Sequence, residues 1–265
     1  MIDRVKRIPR PGARSVYTRT TLSSAIRILG LLPARNAEAD LALSLAAMTH
    51  LVDAVVALDD GSTDGTYELL RTHESVVRVM RNRIRSSYHG WDDSKNRQRL
   101  LESADALRPA WIVFLDADEV IDRDDATDLR AYLLSGAAAQ TALGVRVFRM
   151  VGNLETYVLN GLWTYRVFPW RRQARLPRQR LHFEPVPLHI PRETWLRTSV
   201  RVKHLASLTR ERQEQRYQRY LEADARCEFQ DSYENLLARP RGRKRWRKRP
   251  RGTPIPLGDD NWIQF

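Results

Sequence analysis

Residues 111–122 read WIVFLDADEVID. Trp111–Leu115 is an unbroken apolar run, the composition of a strand buried on both faces. The next four residues, Asp116-Ala117-Asp118-Glu119, place three carboxylates where that strand must end. Upstream, VDAVVALDDGSTDGT at 52–66 repeats the design: Ala54–Leu58 runs into Asp59-Asp60-Gly61-Ser62-Thr63-Asp64-Gly65-Thr66. A third run, Ile26–Leu32, leads into Pro33-Ala34-Arg35-Asn36. Val76–Met80 and Leu143–Met150 also suit strands, and helical spacing fits Glu38–Thr49, Gly65–Arg71, Asp92–Ala106 and Asp124–Leu134. This alternation predicts an α/β fold with a doubly wound, mainly parallel sheet and helices on both faces. Ligands in such sheets bind beyond the carboxyl ends of the strands, where all three polar clusters fall.

After Met150 the pattern weakens. LNGLWTYRVFPW (159–170) and RLHFEPVPLHI (180–190) suggest aromatic-rich strands and turns forming a lid or acceptor wall. A short strand fits Ser199–Val202, and a charged helix fits Ser207–Leu237, with Leu208, Tyr217, Tyr220 and Leu221 facing inward. The expected organisation is a basic arm at 1–24, a core at 25–205 with halves at about 25–135 and 136–205, a C-terminal helix at 206–238 and a basic tail at 239–265.

The net charge of +13 over 265 residues suggests a polyanion binder until it is divided along the chain. Residues 1–19 hold six Lys/Arg against one Asp, and RPRGRKRWRKRPRG at 239–252 holds nine Lys/Arg and no acid. What lies between is almost neutral, so attraction to a nucleic acid or an anionic membrane surface belongs to the arms. With Pro240 and Pro250 interrupting any helix, the tail is expected to be extended, flexible and self-repelling unless it meets a polyanion. No run of about 18 apolar residues suits a membrane span, and no signal-like core follows the basic N-terminus. The expected location is cytoplasmic, with the tail offering peripheral attachment to the membrane. The single Cys227 cannot form an internal disulfide or a cysteine zinc site and reads as a packing residue.

LPARNAEADLALSL (32–45), VDAVVALDDGSTDGT (52–66), SKNRQRLLESA (94–104) and WIVFLDADEVID (111–122), in that order and spacing, resemble the nucleotide-diphospho-sugar binding core of the family 2 glycosyltransferases, which have the GT-A fold. The resemblance covers about residues 26–135 well and continues loosely to about 225. It implies a soluble, metal-dependent, inverting hexosyl transfer from a UDP-sugar to an acceptor hydroxyl, whether on a glycan, a lipid-linked sugar, a protein or a nucleic acid. Mn²⁺ or Mg²⁺ would stabilise the charge that develops on the leaving diphosphate. Asp118 is then the direct metal ligand, and Asp116 reaches the metal through water or accepts from the ribose. Asp60 accepts the base N3–H with Asp59 beside it. Pro33, Ala34, Arg35 and Asn36 wall the nucleotide pocket, Ala117 also contacts the nucleotide-sugar, and Lys95 pairs with the diphosphate. His204 is a candidate third ligand, since neutral imidazole suits Mn²⁺, or a structural histidine.

Direct displacement needs a base for the acceptor proton. Glu184 is the first candidate and His182 the competitor, because Phe183 interrupts the family's His-Glu element. Asp59 equally suits a turn, and Asp64 suits a helix cap. Trp91, Trp163, Tyr165 and Trp170 could stack on an acceptor sugar or fill a core. Two rival functions remain. A sugar nucleotidyltransferase would need a Gly-rich, basic triphosphate loop after the first strand, which the sequence lacks. An inactive core that binds nucleic acid would use the basic tail, with Trp246 stacking on a base.

Overall fold

The computed structural model describes residues 15–18, 25–136, 141–238, 242–247 and 262–263. In chain order the strands of the first half are β1 (Ser15–Thr18), β2 (Ile28–Ala34), β3 (Ala54–Asp59), β4 (Val76–Arg81), β5 (Trp111–Phe114) and β6 (Glu119–Ile121). They alternate with helices α1 (Glu38–Met48), α2 (Thr66–Thr72), α3 (Asp93–Ser103) and α4 (Arg123–Leu134). The second half holds β7 (Leu143–Val151), β8 (Asn153–Pro169), β9 (Leu196–His204), α5 (Arg210–Ala223), β10 (Arg243–Arg245) and β11 (Trp262–Ile263).

The sheet order is β1-β4-β3-β2-β5-β8-β7-β9-β11, with β10 added on β8 and β6 on β9. Strands β4, β3, β2 and β5 are mutually parallel. The pleat sends alternate residues to opposite faces. Val55, Ala57, Trp111 and Val113 pack with Leu41, Leu45 and Leu70 of α1 and α2, and with Leu129 of α4. Val56, Leu58, Ile112 and Phe114 pack with Leu100 and Leu101 of α3 and with Leu176, Val186 and Ile190. Burial on both faces explains why these strands read as continuous apolar runs.

The second half departs from the expected simple continuation. β8 inserts antiparallel between β5 and β7, pairing Val113 with Val167 and Arg146 with Trp163. Leu143–Val151 is therefore one strand removed from β5. The aromatic-rich strand expected within 159–170 is the second part of β8, but its full length and central place were not legible, because it alternates apolar with polar residues over 17 positions and changes partner along its length. The charged C-terminal helix is shorter than expected. It stops at Ala223, and Asp224, buried, turns the chain by accepting from the backbone N–H groups of Glu228, Phe229 and Gln230. Both arms contribute to the sheet: β1, from the basic N-terminal arm, pairs antiparallel with β4, and β10, from the tail, pairs with β8. Trp246 is 9% exposed, packed edge-on to Phe148 and Tyr157, with its Nε1 donating to Asp122 at 2.6 Å. The expected flexible segment is thus, at 242–247, an extended stretch paired into the sheet and packed on the body, while 239–241 and 248–261 lie outside the described residues. Cys227 is exposed, with φ of 52°, and is not a packing residue.

Candidate active site

Above the carboxyl ends of β2, β3 and β5 lies a cavity of about 590 Å³, lined by residues of both halves. Its floor is set by three loops. In the loop after β2, Asn36 adopts φ 48°, and its side chain accepts from Thr63 N–H while its own N–H donates to Ser62 Oγ. Pro33, Ala34, Arg35 and Asn36 all face the cavity, as expected of a nucleotide wall. In the loop after β3, Gly61 has φ 78° and a Cβ there would lie 2.2 Å from the Arg83 carbonyl oxygen, so only glycine fits the turn.

The two aspartates before Gly61 have separate roles. Asp60 lines the cavity, with its carboxylate accepting from Asn82 Nδ2 at 2.6 Å and from Arg85 at 2.5 Å. A carboxylate has about four acceptor sites, so Asp60 retains capacity for a ligand. Asp59 is fully buried, accepts from Ser62 N–H and sits 2.8 Å from Arg81 Nε. It braces the turn and does not line the cavity, which corrects its expected place in the nucleotide site. Asp64 accepts from the Thr66 N–H and hydroxyl and from Glu38 N–H, tying together the starts of α1 and α2.

The loop after β5 carries the acidic cluster. Asp116, Ala117, Asp118 and Glu119 all reach the cavity. Asp116 lines the cavity with about a quarter of its side chain exposed, but its oxygens are engaged: Arg97 donates to one at 2.6 Å, Arg166 lies 3.4 Å from the other, and Arg166 also pairs with buried Glu119. Burial alone would raise the Asp116 pKa, but Arg97 and Arg166 hold it below the usual carboxylate range. Glu119 is pushed up by its burial. Asp118 is different. Its carboxylate, exposed to the same extent as that of Asp116, has no arginine within ion-pair distance among the described residues and lies 3.4 Å from His204 Nε2. Burial works against its charge, yet His204, then Arg219 and Arg216, hold its pKa well below normal. Of the expected metal set, Asp118 and His204 lie side by side, and Asp116 lines the same cavity paired with Arg97 and Arg166. Among the described residues no three His, Cys, Asp or Glu side chains gather as a ready metal cage. A carboxylate beside an imidazole at a cavity wall does suit Mn²⁺ or Mg²⁺ when phosphate oxygens complete the shell.

Lys95 is exposed and lies outside the cavity wall. Asp92 caps α3 by accepting from Lys95 N–H, and that phase buries Ser94, Asn96, Arg97, Leu100 and Leu101 while turning Lys95 outward. Arg97 takes the inward basic position. Helical phase counted from Asp92 was the available signal for it. No comparable signal marks Arg166, because the pairing of β8 with β5 and β7, which sets its facing, is not legible in the sequence.

Of the two candidate bases, only His182 lines the cavity. Glu184 is half-buried behind it, accepts from Tyr165 N–H at 3.0 Å and is pushed toward its neutral form by burial. The cavity lining therefore favours His182 over the first candidate, Glu184. His182 sits at φ 55°, a conformation rare outside glycine. The Gln179 side chain holds it there by donating to the Leu181 and His182 carbonyls. Burial lowers the His182 pKa, and Arg216 adds to the effect.

Of the aromatic candidates, Trp91 faces the cavity, against Tyr88 and Tyr220. Trp163 lies beneath Arg197, Tyr165 packs on Trp195, and Trp170 donates to Asp105. Four arginines that sequence reasoning passed over as site residues or placed only in a wall, Arg35, Arg149, Arg216 and Arg219, line the cavity, and none has a carboxylate partner among the described residues. Arg35 stacks 3.7 Å over the Tyr88 ring, and Arg219 lies over the same ring at 5.0 Å.

Comparison with known proteins agrees with the residue pattern. Uncharacterized proteins of Mycobacterium tuberculosis and Mycobacterium bovis are each 36% identical over 110 residues, which is 41% of this chain and 26% of theirs. The match thus spans about a quarter of the length of those relatives. The Staphylococcus aureus TarS crystal structure (residues 1–349) is similar at a TM-score of 0.44 and 14% identity, over 80% of this chain and 69% of that one. The model of glycosyl transferase family 2 matches residues 31–201, well over half of the chain, and the protein belongs to that family.

Proposed function

We propose that the protein transfers a sugar from a nucleotide-diphosphate donor, a UDP-sugar, to an acceptor hydroxyl with inversion at the anomeric carbon. The observation that carries this reading is one cavity lined together by Asp60, Asp118, His204 and His182. Asp60 would accept from the base, and the wall of Pro33–Asn36 would hold the nucleoside. Asp118 and His204 would hold a divalent ion, which when bound supplies charge neutralisation for the leaving diphosphate. Arg219 and Arg216 add fixed positive charge on the same side, as their influence on Asp118 indicates. Arg97 and Arg166 keep Asp116 ionised, and Arg166 ties it to buried Glu119, so the acidic loop is preorganised.

His182 is the base in this reading. The acceptor O–H bond breaks as its proton moves to the imidazole, the oxygen bonds to the anomeric carbon, and the sugar–phosphate bond breaks with its electrons leaving on the diphosphate. A lowered pKa keeps His182 neutral at pH 7 and able to accept. Trp91, beside Tyr220, offers a ring on which an acceptor sugar can stack. The inactive nucleic-acid reading loses its aromatic support, because Trp246 is committed to packing. The deciding measurement is calorimetric titration of the full chain with UDP, with and without Mn²⁺, followed by hydrolysis of a panel of UDP-sugars. UDP binding strengthened by Mn²⁺, with hydrolysis of at least one donor, is the expected result. Failure to bind UDP or any UDP-sugar overturns the proposal.

A further inference from the structure

The segment after α5 supplies two buried residues that the transfer reading leaves unused. Tyr233 is 2% exposed, and its hydroxyl lies 2.8 Å from the Asp224 carboxylate and 3.0 Å from His182 Nε2. Its ring stacks on Tyr220 at 5.0 Å and 9°, and Tyr220 in turn stacks on the His182 ring at 5.3 Å and 23°. Asp224 is 3% exposed and also accepts from Glu228 N–H at 2.7 Å, Phe229 N–H at 3.1 Å and Gln230 N–H at 3.3 Å.

Chemistry fixes the direction of this chain. An ionised carboxylate can only accept, so the single Tyr233 proton goes to Asp224. The phenolic oxygen then has only lone pairs to offer His182, and the hydrogen between them must sit on Nε2. In the neutral ring that leaves Nδ1 as the acceptor. We propose that Tyr233 and Asp224 are positioning residues that fix His182 as its Nε2–H tautomer and support the imidazolium formed when Nδ1 takes the acceptor proton. This rests on the reading of His182 as the base. The charges agree with the direction: burial and the Asp224 contact hold Tyr233 in its protonated form, while four donors keep Asp224 ionised despite its burial. The other groups that act on the ring are Tyr220 and Arg216 of α5 and Asp93 at the start of α3. Of these, Arg216 opposes protonation and Asp93 favours it. The loop is also locked in place, since Arg180 donates to the Ala223 carbonyl at 2.9 Å and accepts from Asp93 N–H at 3.0 Å.

The test has one arm that needs no turnover. In the full chain labelled with ¹⁵N-histidine, long-range ¹H–¹⁵N spectra at pH 8 should show His182 protonated at Nε2. Tyr233→Phe keeps the ring stack, removes the acceptor and should give a mixture of tautomers. A wild-type Nδ1–H tautomer, or an Nε2–H tautomer unchanged in Tyr233→Phe, overturns the proposal whatever the activity. In the second arm, Tyr233→Phe should lower kcat about tenfold or more with KM and UDP affinity within about twofold. Its acid limb should move to lower pH, because the protonated ring has lost its support. Asp224→Asn should act in the same direction, and the two substitutions together should cost little more than either alone. A pH profile identical to wild type would show a merely structural role and defeat the proposal. Normal turnover by His182→Asn would instead remove His182 as the base, and the tautomer spectra would still decide the chain.

Discussion

At the scale of single residues, Asp118 and His182 carry the most specific expectations. Asp118→Asn keeps the shape of the side chain and removes the charge, so transfer should fall by several kcal/mol of transition-state stabilisation, at least about a hundredfold in kcat. Wild-type turnover at saturating Mn²⁺ would exclude a metal role for Asp118. His182→Asn should lower kcat by roughly 10²- to 10⁴-fold, whereas Glu184→Gln should change it by less than about threefold, since an amide oxygen can still accept from Tyr165 N–H. If the two variants exchange these behaviours, the base is Glu184 after all. With the His182 pKa below its ordinary value, the acid limb of kcat/KM should lie below pH 6.5 and the rate should rise with pH through that limb. Asp60→Ala should act on a different quantity, weakening UDP binding before it slows the chemical step. The acidic loop and the nucleotide wall were legible in the sequence because strand ends and turn chemistry dictate them. The division of labour between Asp59 and Asp60 was not, because Asp59 is the last residue of β3 and Asp60 the first beyond it, and that one step decides which carboxylate meets Arg81 and which meets the cavity.

Among elements, the tail shows where composition misleads. Nine basic residues in fourteen, broken by prolines, describe a flexible segment, yet three of them form β10 and the following Trp246 fills a small core with Val120, Phe148, Met150 and Leu205. Cation–π contacts from Arg201 at 4.7 Å and Lys203 at 4.8 Å absorb part of the charge around that ring. One tryptophan was the local cue, and it has no periodic partner in the sequence. Val120 and Leu205 flank the positions of Asp118 and His204, so this core supports the loop and strand end that carry them. Trp246→Ala should therefore destabilise the fold by about 3 kcal/mol, read as a lower urea midpoint, and should weaken the Mn²⁺ dependence of UDP binding. A midpoint shift under about 0.5 kcal/mol would mean that the indole contributes little more than an exposed side chain. α3 teaches the opposite lesson. Its register follows from the Asp92 cap alone, and counting from that residue separates outward Lys95 from inward Arg97.

Across the whole molecule, the sequence divides into a legible first half and an obscure second half, but the structure does not separate them. β8 joins β5 to β7 in one continuous sheet, β6 pairs with β9, and Arg166 of β8 reaches back to Asp116 and Glu119. The parallel first half was readable because both faces of its strands are buried and its helices alternate with them. The second half was not, because half-exposed antiparallel strands alternate polar with apolar residues and their partners are set by distant segments. Halves bound in this way should unfold together. Urea unfolding followed by tryptophan fluorescence and by far-ultraviolet circular dichroism should give coincident single transitions, and two midpoints would mean that the halves are independent. Arg166→Met tests the link directly. It leaves buried Glu119 without its cation, while Asp116 keeps Arg97, and should cost about 3–5 kcal/mol. Burial already pushes the Glu119 pKa upward with Arg166 present, so removing the arginine should raise it further. A carboxyl whose folded pKa lies above its unfolded value binds more protons in the native state, and its penalty grows as pH rises. The loss of stability in Arg166→Met should thus be larger at pH 8 than at pH 5. Equal losses at the two pH values would show that the arginine acts through packing of its stem rather than through the charge that connects the halves.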